Sequence, residues 1–374
     1  MLRSTFIKIC IGQIQVIMLL CFTHSLYART IRIAILDNPL PKWTSSQYQK
    51  YYMNGVQIGI NEAKNYGIYY QTKVFTYKYP AINIFPVVKK IESWNPDVVI
   101  GPRVSEDFLL LKNQFKNTLV LSPYATSNSV YSMPSNFYSL AVSASFSAGM
   151  MGKYIKNSFK PNIVYIFTDV ACKTCADFAK SLTLYLVNNG ISYTNIKFID
   201  DNILNKKIDY KDIFKNYSLK DAIVLNCTGY SAGLLIAEIS NSIKQQNIYY
   251  FGGDGWGTYR DWDIAKIDTK YKYHAIRITP KSINSNDNGV KTFIIQYKKL
   301  YSSSPDAISY ITYNTIQSIT DAVENYNCSL ANERANVLCS YESAAKSSVQ
   351  WHRPVTHEIY EMKRDYESFI GDIK

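Results

Sequence analysis

The sequence predicts an α/β protein built from two doubly wound, Rossmann-like lobes whose parallel sheets are joined by hinge strands. Three observations predict it. Short β-branched or aromatic runs recur at a regular beat in two separate sets, and segments of helical periodicity lie between most successive runs. Two runs of the first set end in small hydroxyl residues, which suits the carboxyl edge of an open parallel sheet, where ligands bind.

In the first set the expected strands are Ile31–Leu36, Lys73–Tyr77, Val98–Ile100 and Leu119–Leu121, with helices over Tyr51–Ala63 and Val87–Trp94. Val98–Ile100 runs into Gly101-Pro102-Arg103-Val104-Ser105 and a helix, and Leu119–Leu121 runs into Ser122-Pro123-Tyr124-Ala125-Thr126. Strand ends and helix amino-termini converge at that edge, and a small molecule bearing a carboxylate is its natural guest. The second set is Asn162–Thr168, Ser192–Ile199, Ala222–Leu225 and Ile248–Phe251, with helices over Phe178–Val187 and Leu234–Ile243. After Asp254 come a loop rich in glycine and aromatics, a strand-like His274–Thr279, and helical patterns at Val290–Leu300 and Tyr310–Asn325. The last places Ile311, Ile316, Ile319 and Val323 near one face, as packing on a sheet requires. His357–Met362 reads as a strand again. Crossings between lobes are expected near Tyr138–Ser143, near His274–Thr279 and between Ser343 and Gln350. They assign residues 29–142 plus 277–345 to the amino-terminal lobe and 143–276 plus 346–374 to the carboxyl-terminal lobe.

Residues 1–28 carry Arg3 and Lys8, no acidic residue, and an apolar stretch from Ile9 to Phe22 ending near Leu26-Tyr27-Ala28. This reads as a signal peptide cleaved after Ala28, too short and too polar for a membrane span. A lipid anchor at Cys21 is the rival reading, disfavoured by Leu20 where a small side chain is wanted. Cleavage leaves 346 of the 374 residues, enough for two ordinary domains, and lowers the formal charge from +12 to +10. The lysines are scattered and no stacked-aromatic motif accompanies them, so nucleic acid is not an expected partner. Five of the seven cysteines lie beyond the leader. Cys172 can pair with Cys175 and Cys328 with Cys339, or the thiols can stay free; Cys227, inside an apolar run, reads as a buried thiol.

These features together resemble the type 1 periplasmic binding proteins, specifically the branched-chain amino-acid (Leu/Ile/Val) binding branch of ABC transporters. The resemblance rests on Ile31–Leu36, Asn54-Gly55-Val56-Gln57-Ile58-Gly59-Ile60, Val98–Gly101 with Ser105, Leu121–Thr126, Gly252-Gly253-Asp254-Gly255 and Ile311–Ser318, in that order and spacing. It implies that Ser105 and Thr126 hold the ligand's α-carboxylate and that the carbonyl of Ala125 accepts from its ammonium. It further implies that Asp254 supplies the opposing charge from the other lobe, and that Tyr48 and Tyr230 lay aromatic rings on the ligand. Departures fall at Tyr77-Lys78-Tyr79, where an acidic pair is usual, at Arg103, Glu106 and Asp107 in the first ligand loop, and at Val104, where the family has a disulfide cysteine. Arg103 would either select an acidic ligand or pair with Asp107.

Other motifs have plainer readings. Gly229-Tyr230-Ser231-Ala232-Gly233 spells a nucleophile elbow between a strand and a helix, with Asp254 and His274, His352 or His357 downstream. No glycine-rich oxyanion motif precedes it. Cys172-Lys173-Thr174-Cys175 imitates a thioredoxin site, but no proline occurs between Pro161 and Pro280 to face it. Gly252–Gly257 lacks the ending of a phosphate loop, and the histidines have no metal-ligand spacing. The expected protein is therefore exported to the periplasm, is not an enzyme, and has no catalytic residue, metal or cofactor. It captures a small amino-acid-like ligand by hinge closure and delivers it to the membrane permease of an ABC transporter. A periplasmic sensing subunit of a membrane signalling receptor is the alternative, and a serine hydrolase using Ser231 a more distant one.

Overall fold

Strands buried on both faces build two sheets, each covered by helices on its two faces. The computed structural model of the chain describes residues 29–38, 48–78, 83–199, 208–256, 269–280, 287–326, 328, 333–347, 357–362 and 367–373. The leader assigned to residues 1–28 lies outside the described residues. Among the described residues no helix is long and apolar enough to cross a membrane.

The first lobe contains β1 (Arg29–Asp37), α1 (Tyr48–Ala63), β2 (Ile68–Thr76), α2 (Ile84–Trp94), β3 (Val98–Ile100), α3 (Ser105–Leu110), β4 (Leu119–Ser122) and β5 (Phe137–Ser139). Its five strands are all parallel, in the order β2-β1-β3-β4-β5. Ile31, Ile33, Ile35, Val98, Ile100, Leu119 and Leu121 point to one face, while Ala34, Leu36, Val99 and Val120 point to the other, against Ile84, Val88, Ile91 and Phe108. This period of two, apolar on both faces, is why the strands read as unbroken apolar runs.

The second lobe contains α4 (Ala144–Tyr154), β6 (Ile163–Asp169), α5 (Lys173–Asn188), β7 (Ser192–Phe198), α6 (Tyr210–Ile213), β8 (Ala222–Asn226), α7 (Gly229–Ile243), β9 (Ile248–Gly252) and β10 (Tyr273–Pro280). The chain then supplies α8 (Asn288–Tyr301), α9 (Ala307–Asn325) and α10 (Glu333–Ser347) to the first lobe, and β11 (His357–Met362) and β12 (Glu367–Ile373) to the second sheet. That sheet runs β12-β11-β10-β9-β8-β6-β7; the five strands from β10 to β7 are parallel, and β11 and β12 are antiparallel additions.

Ile316, Ile319 and Val323 of α9 are buried against the first sheet with Val337, Tyr341 and Ala344 of α10, while Ile311 is half-buried. β10 pairs within the second sheet as far as Pro280, past the 276/277 boundary drawn from sequence. The edge strand β2 begins at Ile68 rather than Lys73. Its first half, Tyr69–Thr72, is largely exposed and polar, so it carries no apolar signal.

Candidate functional site at the facing strand ends

In the first sheet β1 leads to β2 on one side and β3 lies on the other, so the strand order reverses between β1 and β3. Crevices at such points are where open α/β sheets take ligands. Here the crevice is filled from within. Gly101 has φ of +103°, and a Cβ there would stand 2.2 Å from the carbonyl oxygen of Leu36, so only glycine lets the loop close down on β1. That approach brings Arg103, 5 % exposed, to Asp37, with Nη2 2.9 Å from Oδ1. Arg103 also donates to the backbone carbonyl of Asn38 and to its Oδ1. Asp107 does not take Arg103. It accepts from the Tyr77 hydroxyl at 2.5 Å and from Asn38 Nδ2 at 3.2 Å. Tyr77, Arg103 and Asp107 thus belong to one buried network, joined through Asn38. Burial raises the carboxyl pKa of both Asp37 and Asp107, opposed by Arg103 at the first and by the Tyr77 hydroxyl at the second.

Beside this network the predicted carboxylate residues meet. Ser105 opens α3, and its Oγ accepts from the backbone N–H of Thr126 at 3.0 Å and of Ser127 at 3.1 Å. Ser105 and Thr126 are 4 % and 8 % exposed. Ser122 folds the turn between them by accepting from the N–H of Ala125 and donating to the carbonyl of Pro102. Ala125 is fully buried, and its carbonyl accepts from the Ser139 hydroxyl at 2.5 Å. One of the two lone pairs of the acceptor expected for an ammonium group is therefore already engaged inside the lobe.

On the second lobe Tyr230 is the second residue of α7 and is half-buried. Asp254 begins the turn after β9, at the carboxyl edge of its sheet, and Tyr48 is the first residue of α1. The side chains of Asp254 and Tyr48 lie outside the described residues. Gly252, just before Asp254, serves packing: a Cβ on it would stand 1.8 Å from the indole of Trp256, which is fully buried and donates from Nε1 to the carbonyl of Leu225. The elbow serine is equally internal. Ser231 is fully buried, its hydroxyl 3.0 Å from that of Thr228, the cap of α7, whereas an elbow must present its nucleophile to solvent.

Sequence reasoning missed the partners across the gap. The second sheet reverses between β6 and β8, and there Cys172 and Cys175 form a disulfide at the start of α5. Thr174, between them, lies 3.0 Å from Ser105 Oγ and accepts from Thr126 Oγ1 at 3.3 Å. The N–H of Lys173 donates to Glu106 at 2.7 Å, and Asp177 accepts from the Ser127 hydroxyl at 2.6 Å and the Asn128 N–H at 3.0 Å. Cys328 pairs with Cys339, and Cys227 is buried and in neither disulfide. A hollow of about 340 Å³, lined by Pro96, Phe115, Thr118 and Arg334 among others, opens at the opposite end of the first sheet, so volume alone does not mark the site.

No family model and no curated relative matches the sequence. Solved structures match the fold. A leucine-binding protein of Thermotoga maritima superposes with a TM-score of 0.73 at 14 % identity, over 92 % of this chain and 99 % of that one. A branched-chain amino acid transporter substrate-binding protein of Streptococcus pneumoniae, in complex with isoleucine, gives 0.69 at 15 % over 92 % and 100 %. A solute-binding protein of an ABC transporter from R. palustris, in complex with benzoate, gives 0.69 at 11 % over 92 % and 96 %. The chain has the α/β fold of the type 1 periplasmic binding proteins, which is the solute-binding protein fold of ABC transporters.

Proposed function

We propose that this chain is an exported solute-binding protein that captures a small carboxylate ligand between its lobes and presents it to the permease of an ABC transporter. The observation that carries the reading is the meeting of Ser105, Thr126 and the Ser127 N–H at the carboxyl edge of the first sheet, facing the second lobe. The hydroxyls of Ser105 and Thr126 on a rigid strand end suit a carboxylate, with Ser105 Oγ oriented by the Thr126 and Ser127 amides that donate to it. Amino acids, benzoate and a fatty acid are named among the ligands of structures sharing the fold, and all carry that group. Asp254, Tyr48 and Tyr230 are the proposed side-chain contacts, and the Ala125 carbonyl, which already accepts from Ser139, takes part through its second lone pair. Arg103 is spoken for by Asp37, which argues against an acidic side chain on the ligand. A ligand touching both lobes favours the closed state by its differential contacts.

A thermal-shift screen of residues 29–374 against amino acids, aromatic acids and fatty acids tests this. A true ligand at a hundredfold excess over its Kd should add about 2.7 kcal/mol of stability. Ser105→Ala and Asp254→Ala should each remove most of that gain. If no carboxylate of any class raises the melting temperature, either of the oxidised chain or of the chain reduced with dithiothreitol, the reading is wrong.

A further inference from the structure

We propose that the Cys172–Cys175 disulfide is a redox gate on the cleft: oxidised, it holds Lys173 and Thr174 as a latch across the lobes, and its reduction by a dithiol releases them. The latch rests on placement. Three hydrogen bonds between the lobes use the two residues enclosed by the disulfide: Lys173 N–H to Glu106 at 2.7 Å, and Thr174 with Ser105 at 3.0 Å and with Thr126 at 3.3 Å. Two more use Asp177, one helical turn on. The Thr174 hydroxyl occupies the point on which Ser105 and Thr126 converge, so the protein fills its own carboxylate seat with a second-lobe side chain.

The disulfide fixes this turn from both ends. Cys172 is the cap of α5, its Sγ accepting from the Cys175 N–H at 3.1 Å, and the Cys175 carbonyl is held by Asn226 at the end of β8. The first turn of a helix lacks intrahelical partners for its N–H groups, so a covalent clamp closing that turn holds the latch residues in register. Cys172 is partly exposed and Cys175 buried, which directs attack to Cys172. A dithiol thiolate attacks Cys172 Sγ, and the Cys172–Cys175 bond breaks with its electron pair and a proton going to Cys175. The second thiolate of the dithiol then displaces Cys172 as a thiol and leaves the dithiol as a cyclic disulfide. In an oxidising compartment the latch stays made.

The proposal rests on the carboxylate reading only for its consequence to ligand, so the test uses the ligand-free chain, residues 29–374. Small-angle scattering and amide hydrogen exchange are compared for the oxidised chain, the chain reduced with dithiothreitol, Cys172→Ser/Cys175→Ser, and Thr174→Val with the disulfide intact. Serine at 172 keeps a cap for α5, so loss of the covalent bond is separated from loss of the cap. The expected result is a larger radius of gyration and exchange about tenfold faster at Thr126 and Ser127, the worth of one to two hydrogen bonds, in all three altered forms. Cys328→Ser/Cys339→Ser should still open on reduction. Identical scattering and exchange in oxidised and reduced chains would overturn the gate, as would a Thr174→Val chain as closed as the parent. A chain that gates yet binds no carboxylate upholds the gate and overturns the carboxylate reading alone.

Discussion

Arg103 is the residue on which the first strand ends depend. It is buried with Asp37, and a buried pair broken by loss of one partner costs about 3–5 kcal/mol because the survivor is left charged in a dry site. Arg103→Met should therefore be strongly destabilising in urea denaturation, and adding Asp37→Leu should recover part of the loss. A double variant worse than the single one would show that the pair contributes more than mutual neutralisation. Asp107 gives a pH-dependent signature. Its carboxyl is raised by burial, opposed by the hydrogen bond from Tyr77 and reinforced by the charge of Glu106. The folded chain thus holds that proton more tightly than the unfolded chain. The resulting stability is fully present below about pH 4 and is lost as pH rises through the elevated folded value. Asp107→Asn keeps an acceptor for Tyr77 and removes the titration. Its stability between about pH 4 and neutrality should fall less steeply than that of the parent, and an unchanged slope would refute the assignment.

At the scale of elements the closest approach is between α1 and α9. A Cβ on Gly55 would stand 2.0 Å from the carbonyl of Ser309 and 2.2 Å from Thr312 Oγ1, and one on Gly59 would stand 2.6 Å from Ile316. The two glycines, four apart on one face, let the helix axes come together, and Thr312 Oγ1 then donates to the carbonyl of Tyr52 at 3.0 Å. Gly55→Ala gains roughly 1 kcal/mol of helix propensity but forces the helices apart, an overpacking cost of about 1–3 kcal/mol or more. Net loss of melting temperature is expected. Gly149→Ala in α4, where nothing lies within 4 Å, should instead raise stability by about 0.4–1 kcal/mol. The elements with strong periodicity were readable from sequence for the same reason that they are stable: they bury a regular face. Those without it were not. β5 is three residues long, α4 is rich in small residues, and the exposed first half of β2 shows no apolar alternation.

Across the whole molecule the chain passes between lobes three times, and the last long stretch on the first lobe, α10, is tied down by Cys328–Cys339. Closing that loop of 11 residues is worth about 3 kcal/mol in chain entropy. Cys328→Ser/Cys339→Ser should lower stability by about that amount in urea, with its largest increase in hydrogen exchange in α10, where Val337, Tyr341 and Ala344 pack on the first sheet. By itself the sequence determined the two α/β lobes, because strands buried on both faces and helices buried on one leave a repeating apolar pattern. It also placed Ser105 and Thr126 at one sheet edge, since a strand followed by a helix in a parallel sheet has only one way to turn. Which groups those hydroxyls meet was decided by the tertiary structure alone. Ser105 and Thr174 are 69 residues apart, on helices of different lobes, so their contact follows from how the lobes are set against each other. The partner of Arg103 was settled the same way. A charge in a loop can reach several acids, and only the approach of Gly101 to Leu36 brings Asp37 rather than Asp107 within its reach.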